Sequence, residues 1–211
     1  MNEMPELRPN EPGKASLALF DFDGTLTYGD SFMAMLRFEL GDARVILGIL
    51  RWLPWLIGYL VGFVSRTTIK TRVLNWSFGG MTRSEIIDMC QRFTEQKLDS
   101  LLRPDALLRL HEHIDRGDKV YVVTASPEEW VRPWCDTLGI ECIGTRLAYD
   151  LRDKFAGHLV GANCHGVEKV RRIRAVVPLD DYPVRYAYGD SRGDLPMLGL
   201  AQYRGYRVFK S

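Results

Sequence analysis

The chain has little cysteine and no paired spacing for it. Cys90, Cys135, Cys142 and Cys164 form neither a C-x-x-C nor a Cys/His ligand pattern, so neither a zinc site nor a disulfide framework is expected. Reduced, structural thiols fit that usage and a cytoplasmic setting. An excess of charge is also missing. With 28 basic against 27 acidic side chains the net charge is +1, which excludes nucleic-acid binding driven by bulk charge and leaves any basic partner-seeking surface local. Residues 1–15 are polar, lack an apolar secretory core and read as a short disordered tail, so export is not expected. No internal repeat or low-complexity tract is visible. What is present, 46% hydrophobic and 26% charged residues over 211 positions, suffices for one domain with a modest insertion.

Short β-branched or aromatic runs alternate with helical stretches, the pattern of an α/β fold on a parallel sheet. The strand candidates are 17–20, 120–123, 142–144 and 184–188, and three of them run into polar, small-residue turns. Between the first two lies a long stretch with helical patterning and no convincing strand, far longer than a crossover helix. It reads as an inserted helical cap over 30–103, which divides the core into 16–29 and 104–211. Residues 147–159 read as a hairpin or flap.

Within the insertion, Val45 to Val64 holds fifteen apolar residues, the rest being three glycines, Arg51 and Pro54. A spanning helix needs about 20 apolar residues, but a mid-segment arginine and proline oppose a crossing. A single crossing would also set the turn after the first strand apart from the later ones. The expectation is a shallow hairpin broken at Pro54, with legs of about nine residues and about 14 Å, and with Trp52, Trp55 and Tyr59 at headgroup depth. Buried cap helices or a dimer contact are the alternatives. Arg44, Arg51, Arg66, Lys70 and Arg72 flank or interrupt the segment, either as a solvated face or as contacts to anionic headgroups.

The sharpest chemical signal is Asp21-Phe22-Asp23-Gly24-Thr25 after the first strand. Alone, an Asp-x-Asp-Gly turn is often only a loop or a cation site. Here Thr124-Ala125-Ser126 ends the second strand, Lys169 opens a helical run, and Gly189-Asp190-Ser191-Arg192-Gly193-Asp194 follows the last strand candidate. Ligands of open α/β sheets bind outside the carboxyl ends of the strands, where these clusters converge. The group holds the parts of phosphoryl transfer. A carboxylate can attack phosphorus, a hard cation can sit among carboxylates, a lysine and hydroxyl can hold equatorial oxygens, and a second acid can serve the leaving oxygen.

These four motifs, in this order from Leu17 to Leu200, resemble the haloacid dehalogenase-like (HAD) superfamily, with a Rossmann-like core and an inserted helical cap. The resemblance implies Asp21 as nucleophile, Asp23 as general acid/base and Lys169 as the charge-stabilising lysine. It also implies Mg²⁺ held by Asp21, the Asp23 backbone carbonyl and Asp190, with Asp194 in support. Thr124, Ala125 and Ser126 would bind the phosphate. Asp23 points away from the family's dehalogenases, which lack an acid there, and from its transport ATPases, which carry threonine.

The position of the insertion resembles the phosphoserine phosphatase-like branch, where Asp30 and Arg72 match substrate-binding positions. Three features depart from phosphoserine phosphatase: Asp30 is shorter than the branch's glutamate, Gly193 stands where that enzyme has asparagine, and Lys169 follows Gly166 by three residues. The Cys164-x-Gly166-x-x-Lys169 spacing and the apolar cap are similar to the bacterial phosphatidylglycerophosphatase C group. The implied activity is a Mg²⁺-dependent phosphomonoesterase on a membrane phospholipid monoester such as phosphatidylglycerol phosphate, cytoplasmic and peripheral or monotopic at the inner membrane face. Alternatives are a soluble small-metabolite phosphatase with a phosphoserine-like substrate, or a non-catalytic membrane-associated scaffold. His111 and His113 read as surface residues, and His165 as a candidate substrate contact.

Overall fold

Leu17–Phe20 (β1) is apolar on both faces and wholly buried, as a central parallel strand must be when helices cover both sides of its sheet. A computed structural model describes residues 3–10 and 13–209. In it the other strands are Lys119–Pro127 (β2), Glu141–Thr145 (β3), Arg185–Gly189 (β6) and Tyr203–Tyr206 (β7), while Leu147–Tyr149 (β4) and Phe155–Leu159 (β5) form a separate antiparallel hairpin. β1 lies at the centre of a parallel sheet of order β3-β2-β1-β6-β7. Phe20 is in register with Val122 on one side and Tyr188 on the other. The turns that follow therefore emerge side by side, at the point where the strand order reverses.

Alternation along β1 divides the core. Ala18 and Phe20 join a cluster with Leu110 of Pro104–Asp115 (α5) and Trp130 of Glu128–Thr137 (α6), whereas Leu17 and Leu19 join Ile173 of Val167–Val176 (α7) and Met197 of Leu195–Leu198 (α8). The sheet is thus covered on both faces, the α/β architecture expected.

Between the turn after β1 and α5 stand Ser31–Leu40 (α1), Asp42–Leu60 (α2), Arg66–Phe78 (α3) and Arg83–Gln96 (α4). Their entry and exit run together, with Tyr28 N–H donating to Leu101 O and Arg103 N–H to Leu26 O. Phe32 stacks on Trp130 with ring centroids 5.2 Å apart, which ties α1 to the core helix α6. The β4–β5 hairpin belongs with the cap, since Phe155 meets Phe78 and Arg83 pairs with Asp153 at 3.0 Å.

Three readings need correction. Pro54 does not break the apolar segment: α2 runs through it as one helix, and the chain turns only after Leu60. In line with the expectation against a crossing, no helix among the described residues is long and apolar enough to span a membrane. The described part of the tail is not loose, because Met4 and Leu7 pack on the core and the Asn10 amide donates to Asp118 at 2.8 Å. His113 is fully buried, its Nδ1 2.7 Å from Asp118 and its Nε2 2.9 Å from the Tyr188 hydroxyl.

Candidate active site

Asp21 leaves the end of β1 into a tight turn over Phe22–Leu26. Gly24 makes that turn with φ +83°, and a Cβ there would lie 2.6 Å from Asp190 Oδ2. Only glycine lets the first motif fold this closely onto the turn after β6. Thr25 Oγ1 reaches both carboxylates, at 3.5 Å from Asp21 and 3.4 Å from Asp190.

Asp23 points the other way. Its Oδ1 accepts from Ser31 N–H at 2.7 Å, and its Oδ2 from the Ser126 hydroxyl at 2.6 Å. Asp30 caps the same helix, accepting from Phe32 and Met33 N–H. The first turn of the cap is therefore built onto the two acids that flank the entrance to it. Burial raises the Asp30 pKa, and the nearby charge of Asp23 adds to the rise.

Lys169 is 1% exposed and spends three donors at once, on Asp21 Oδ1 at 2.5 Å, Val123 O at 2.7 Å and Asp194 Oδ1 at 2.7 Å. Burial works against its charge, but the two carboxylates outweigh burial and hold the lysine pKa above its ordinary value. Asp194, likewise buried, is drawn below the usual carboxylate range by Lys169 and by Ser191, whose N–H and hydroxyl both donate to its Oδ2. Burial pushes Asp21 up to about 7, Lys169 pulling against it and Asp194 adding repulsion. Asp190 is raised by burial and by the charge of Asp194. One lysine thus answers to more carboxylates than it can neutralise.

Carboxylate oxygens of Asp21, Asp190 and Asp194 lie within 4.8 Å of one another. Hard oxygen donors with uncompensated negative charge suit a divalent cation such as Mg²⁺. Both oxygens of Asp194 are already committed to Lys169 and Ser191, which suits a supporting place more than a direct ligand. The Asp23 side chain is turned toward Ser31 and Ser126, away from this cluster.

A cavity of about 460 Å³ rises from this floor into the cap. Asp21, Asp23, Lys169, Asp190 and Asp194 line its base, with Ala125, Ser126 and Asp30 beside them. Its upper wall is apolar: Phe32, Met33 and Leu36 from α1, Val45, Ile49 and Trp52 from α2, and Ile69, Val73 and Trp76 from α3. Thr124 is buried with its Oγ1 accepting from Ser126 N–H at 2.9 Å, and it is not among the lining residues. Arg72 is not among them either, its guanidinium lying 3.7 Å from the Trp55 ring centroid.

The cation that α3 does bring to the pocket is Lys70, which donates to Ala125 O and, at 3.0 Å, to Asn163 Oδ1. Asn163 also accepts from Thr145 Oγ1 at 2.9 Å. Neither Lys70 nor Asn163 stands in a recognisable motif, and the sequence marked Lys70 only as one of the basic residues flanking the apolar segment. Gly193 and His165 prove to be linked. A Cβ at 193 would lie 2.2 Å from His165 Nε2, so the imidazole on the pocket wall occupies the volume of any side chain there.

Residues 18–199 match the model of the family described as haloacid dehalogenase-like hydrolase. The chain is 40% identical over 195 residues to Protein CicA of Caulobacter vibrioides (strain NA1000 / CB15N), covering 92% of this chain and 86% of that protein. It is 34% identical over 91 residues to phosphoserine phosphatase SerB1 of Mycobacterium tuberculosis (strain ATCC 25618 / H37Rv), covering 42% of this chain and 29% of that one. Among solved structures it is similar to a substrate-bound phosphoserine phosphatase complex, with TM-score 0.62 and 18% identity over 90% of this chain and 85% of that one.

Proposed function

As the chain belongs to the haloacid dehalogenase-like hydrolase family and is a phosphatase, we propose that its substrate is a phosphomonoester with a long apolar alcohol, specifically a phospholipid monoester such as phosphatidylglycerol phosphate, met at a membrane surface. The observation that carries this reading is the cavity wall. Above the carboxylates it is almost entirely aliphatic and aromatic, and apolar surface removed from water contributes about 25 cal/mol per Å² to binding such a group.

In this reading Asp21 attacks phosphorus through the carboxylate oxygen not held by Lys169, and the bond from phosphorus to the ester oxygen breaks. Asp23 gives its proton to that oxygen, so the leaving group departs as a neutral alcohol. Asp23, now a carboxylate, takes a proton from water as the water attacks the aspartyl phosphate, which frees inorganic phosphate and restores Asp21. Lys169 holds Asp21 in place and offers positive charge to the equatorial oxygens, and Asp194 keeps the lysine aimed. Ala125 and Ser126, at the end of β2, face the phosphate, and Thr124 braces Ser126 from beneath through its Oγ1. Mg²⁺ would be held by Asp21, Asp190 and the Asp23 carbonyl, where it would supply neutralisation of the transferring group.

A second reading, a soluble phosphatase of a small metabolite, is favoured by the phosphoserine phosphatase relative. One acid and one base on the pocket wall, Asp30 and Lys70, add to it because a zwitterion needs both. Phosphate release in Mg²⁺ separates the two readings. Turnover of phosphatidylglycerol phosphate in mixed micelles well above that of phosphoserine supports the lipid monoester, and the reverse order supports the metabolite. Asp21→Asn serves as the blank, and turnover that it abolishes excludes a non-catalytic scaffold.

A further inference from the structure

The outer face of α2 is also largely apolar, interrupted by Arg44 and Arg51. Val45, Ile49 and Trp52 look inward, while Ile46, Leu47, Leu50, Leu53 and Leu60 stand exposed, and Phe63 in the following turn is 90% exposed. A contiguous exposed apolar patch marks a partner surface.

Charge distinguishes the partner. From Ala43 to Arg83 the sequence holds Arg44, Arg51, Arg66, Lys70, Arg72 and Arg83 and not one Asp or Glu, in a chain whose net charge is only +1. Arg44 and Arg51 are exposed on α2 itself, interspersed with the leucines. A two-fold dimer through this face would set the patch against its own copy and bring like charges together. An anionic bilayer meets both properties, taking aliphatic side chains into the acyl boundary and guanidinium groups among the headgroups.

We infer that α2 and the turn after it dock the protein in the plane of an anionic lipid surface. Leu47, Leu50, Leu60 and Phe63 enter the bilayer, and Arg44 and Arg51 lie at headgroup depth. Trp55, under the Arg72 guanidinium, suits the same depth. Because the inner face of α2 walls the cavity, docking brings the pocket to the interface. The docking stands on the exposed face and the acid-free stretch, and only its role in delivering substrate rests on the lipid-monoester reading.

The test is co-sedimentation of the full chain with vesicles of phosphatidylcholine alone and of phosphatidylcholine with phosphatidylglycerol, with hydrolysis of p-nitrophenyl phosphate measured in parallel. The wild type is expected to bind anionic vesicles roughly ten-fold or more tightly than neutral ones, and less tightly at high salt. Arg44→Gln and Arg51→Gln each weaken that binding by about five-fold. Leu60→Glu with Phe63→Glu abolishes it, and all these variants keep p-nitrophenyl phosphate hydrolysis because none of the four side chains lines the pocket. Wild type that stays in the supernatant with anionic vesicles overturns the inference. So does vesicle binding unchanged in the double glutamate variant, or a wild-type dimer that this variant converts to monomers, which assigns the face to a second copy. Vesicle binding without lipid-monoester turnover sinks the substrate reading and leaves the docking intact.

Discussion

Lys169 Nζ lies 2.5 Å from Asp21 Oδ1, and the same ammonium group reaches Asp194 at 2.7 Å. The charge of this lysine offsets the burial of both acids. Lys169→Met is predicted to cut kcat by about 10²- to 10³-fold, the loss typical of removing one preorganised donor. It should also destabilise the fold by roughly 3–5 kcal/mol, as breaking a buried ion pair does. Steady-state kinetics and urea unfolding check both. Full activity in the variant would remove the lysine from the mechanism.

Asp23, held by Ser31 and Ser126, is assigned both proton transfers. Asp23→Asn should slow an alkyl phosphate by about 10²- to 10⁴-fold. With p-nitrophenyl phosphate the leaving oxygen needs no acid, so the first step should survive and the second should not. A rapid burst of p-nitrophenol followed by a slow steady state is the expected trace. Equal losses on both substrates with no burst would argue against the assignment.

The carboxylates of Asp21, Asp190 and Asp194 leave negative charge uncompensated. A cation bound among them stabilises the folded protein, by about 2.7 kcal/mol at a hundred times its dissociation constant. Mg²⁺ should therefore raise Tm, a chelator should lower Tm and stop turnover, and Asp190→Asn should blunt the Mg²⁺ effect. A thermal melt indifferent to Mg²⁺ would contradict the site.

Much of this was legible in the sequence because parallel strands advertise themselves. Leu17–Phe20 is a continuous apolar run that stops at an acid, and Arg185–Gly189 ends in the same way. Each clear strand therefore pointed to its own functional turn. β7 escaped because Tyr203-Arg204-Gly205-Tyr206 is short and polar at an edge, where a strand needs no apolar run. His113 looked like a surface residue on a charged helix. Its burial depends on Asp118 and on Tyr188, 75 residues away, a pairing no local pattern records. The tail failed for the same reason, its partners being Tyr186 and Asp118. Lys70 reached the pocket through the packing of α3, which the helix period alone did not orient toward Ala125 and Asn163.

His113 gives a prediction with a sign. Burial lowers its pKa below 6.5 although Asp118 pulls the other way, so the neutral ring donates to Asp118 and accepts from the Tyr188 hydroxyl. The unfolded chain takes up this proton first as pH falls. The stability that this site contributes is therefore complete above about pH 6.5 and is lost as pH falls toward the folded-state pKa, by at most about 1.4 kcal/mol per pH unit for one proton. Asp118, also lowered, adds a further loss at lower pH. Unfolding curves of wild type and His113→Gln should converge as the pH falls below 6.5. A constant difference between them would show that the histidine does not titrate in that window.

In the lipid-monoester reading the apolar cap pocket selects the alcohol of the monoester. The most direct test of that selection is kcat/KM for a series of linear alkyl phosphates in Mg²⁺, each below its micelle concentration so that no interface contributes. Burial of each added methylene is worth about 0.8 kcal/mol, so the account predicts a rise of up to about four-fold per methylene until the cavity is filled. A flat series, with phosphoserine turned over faster than any alkyl phosphate, would contradict it.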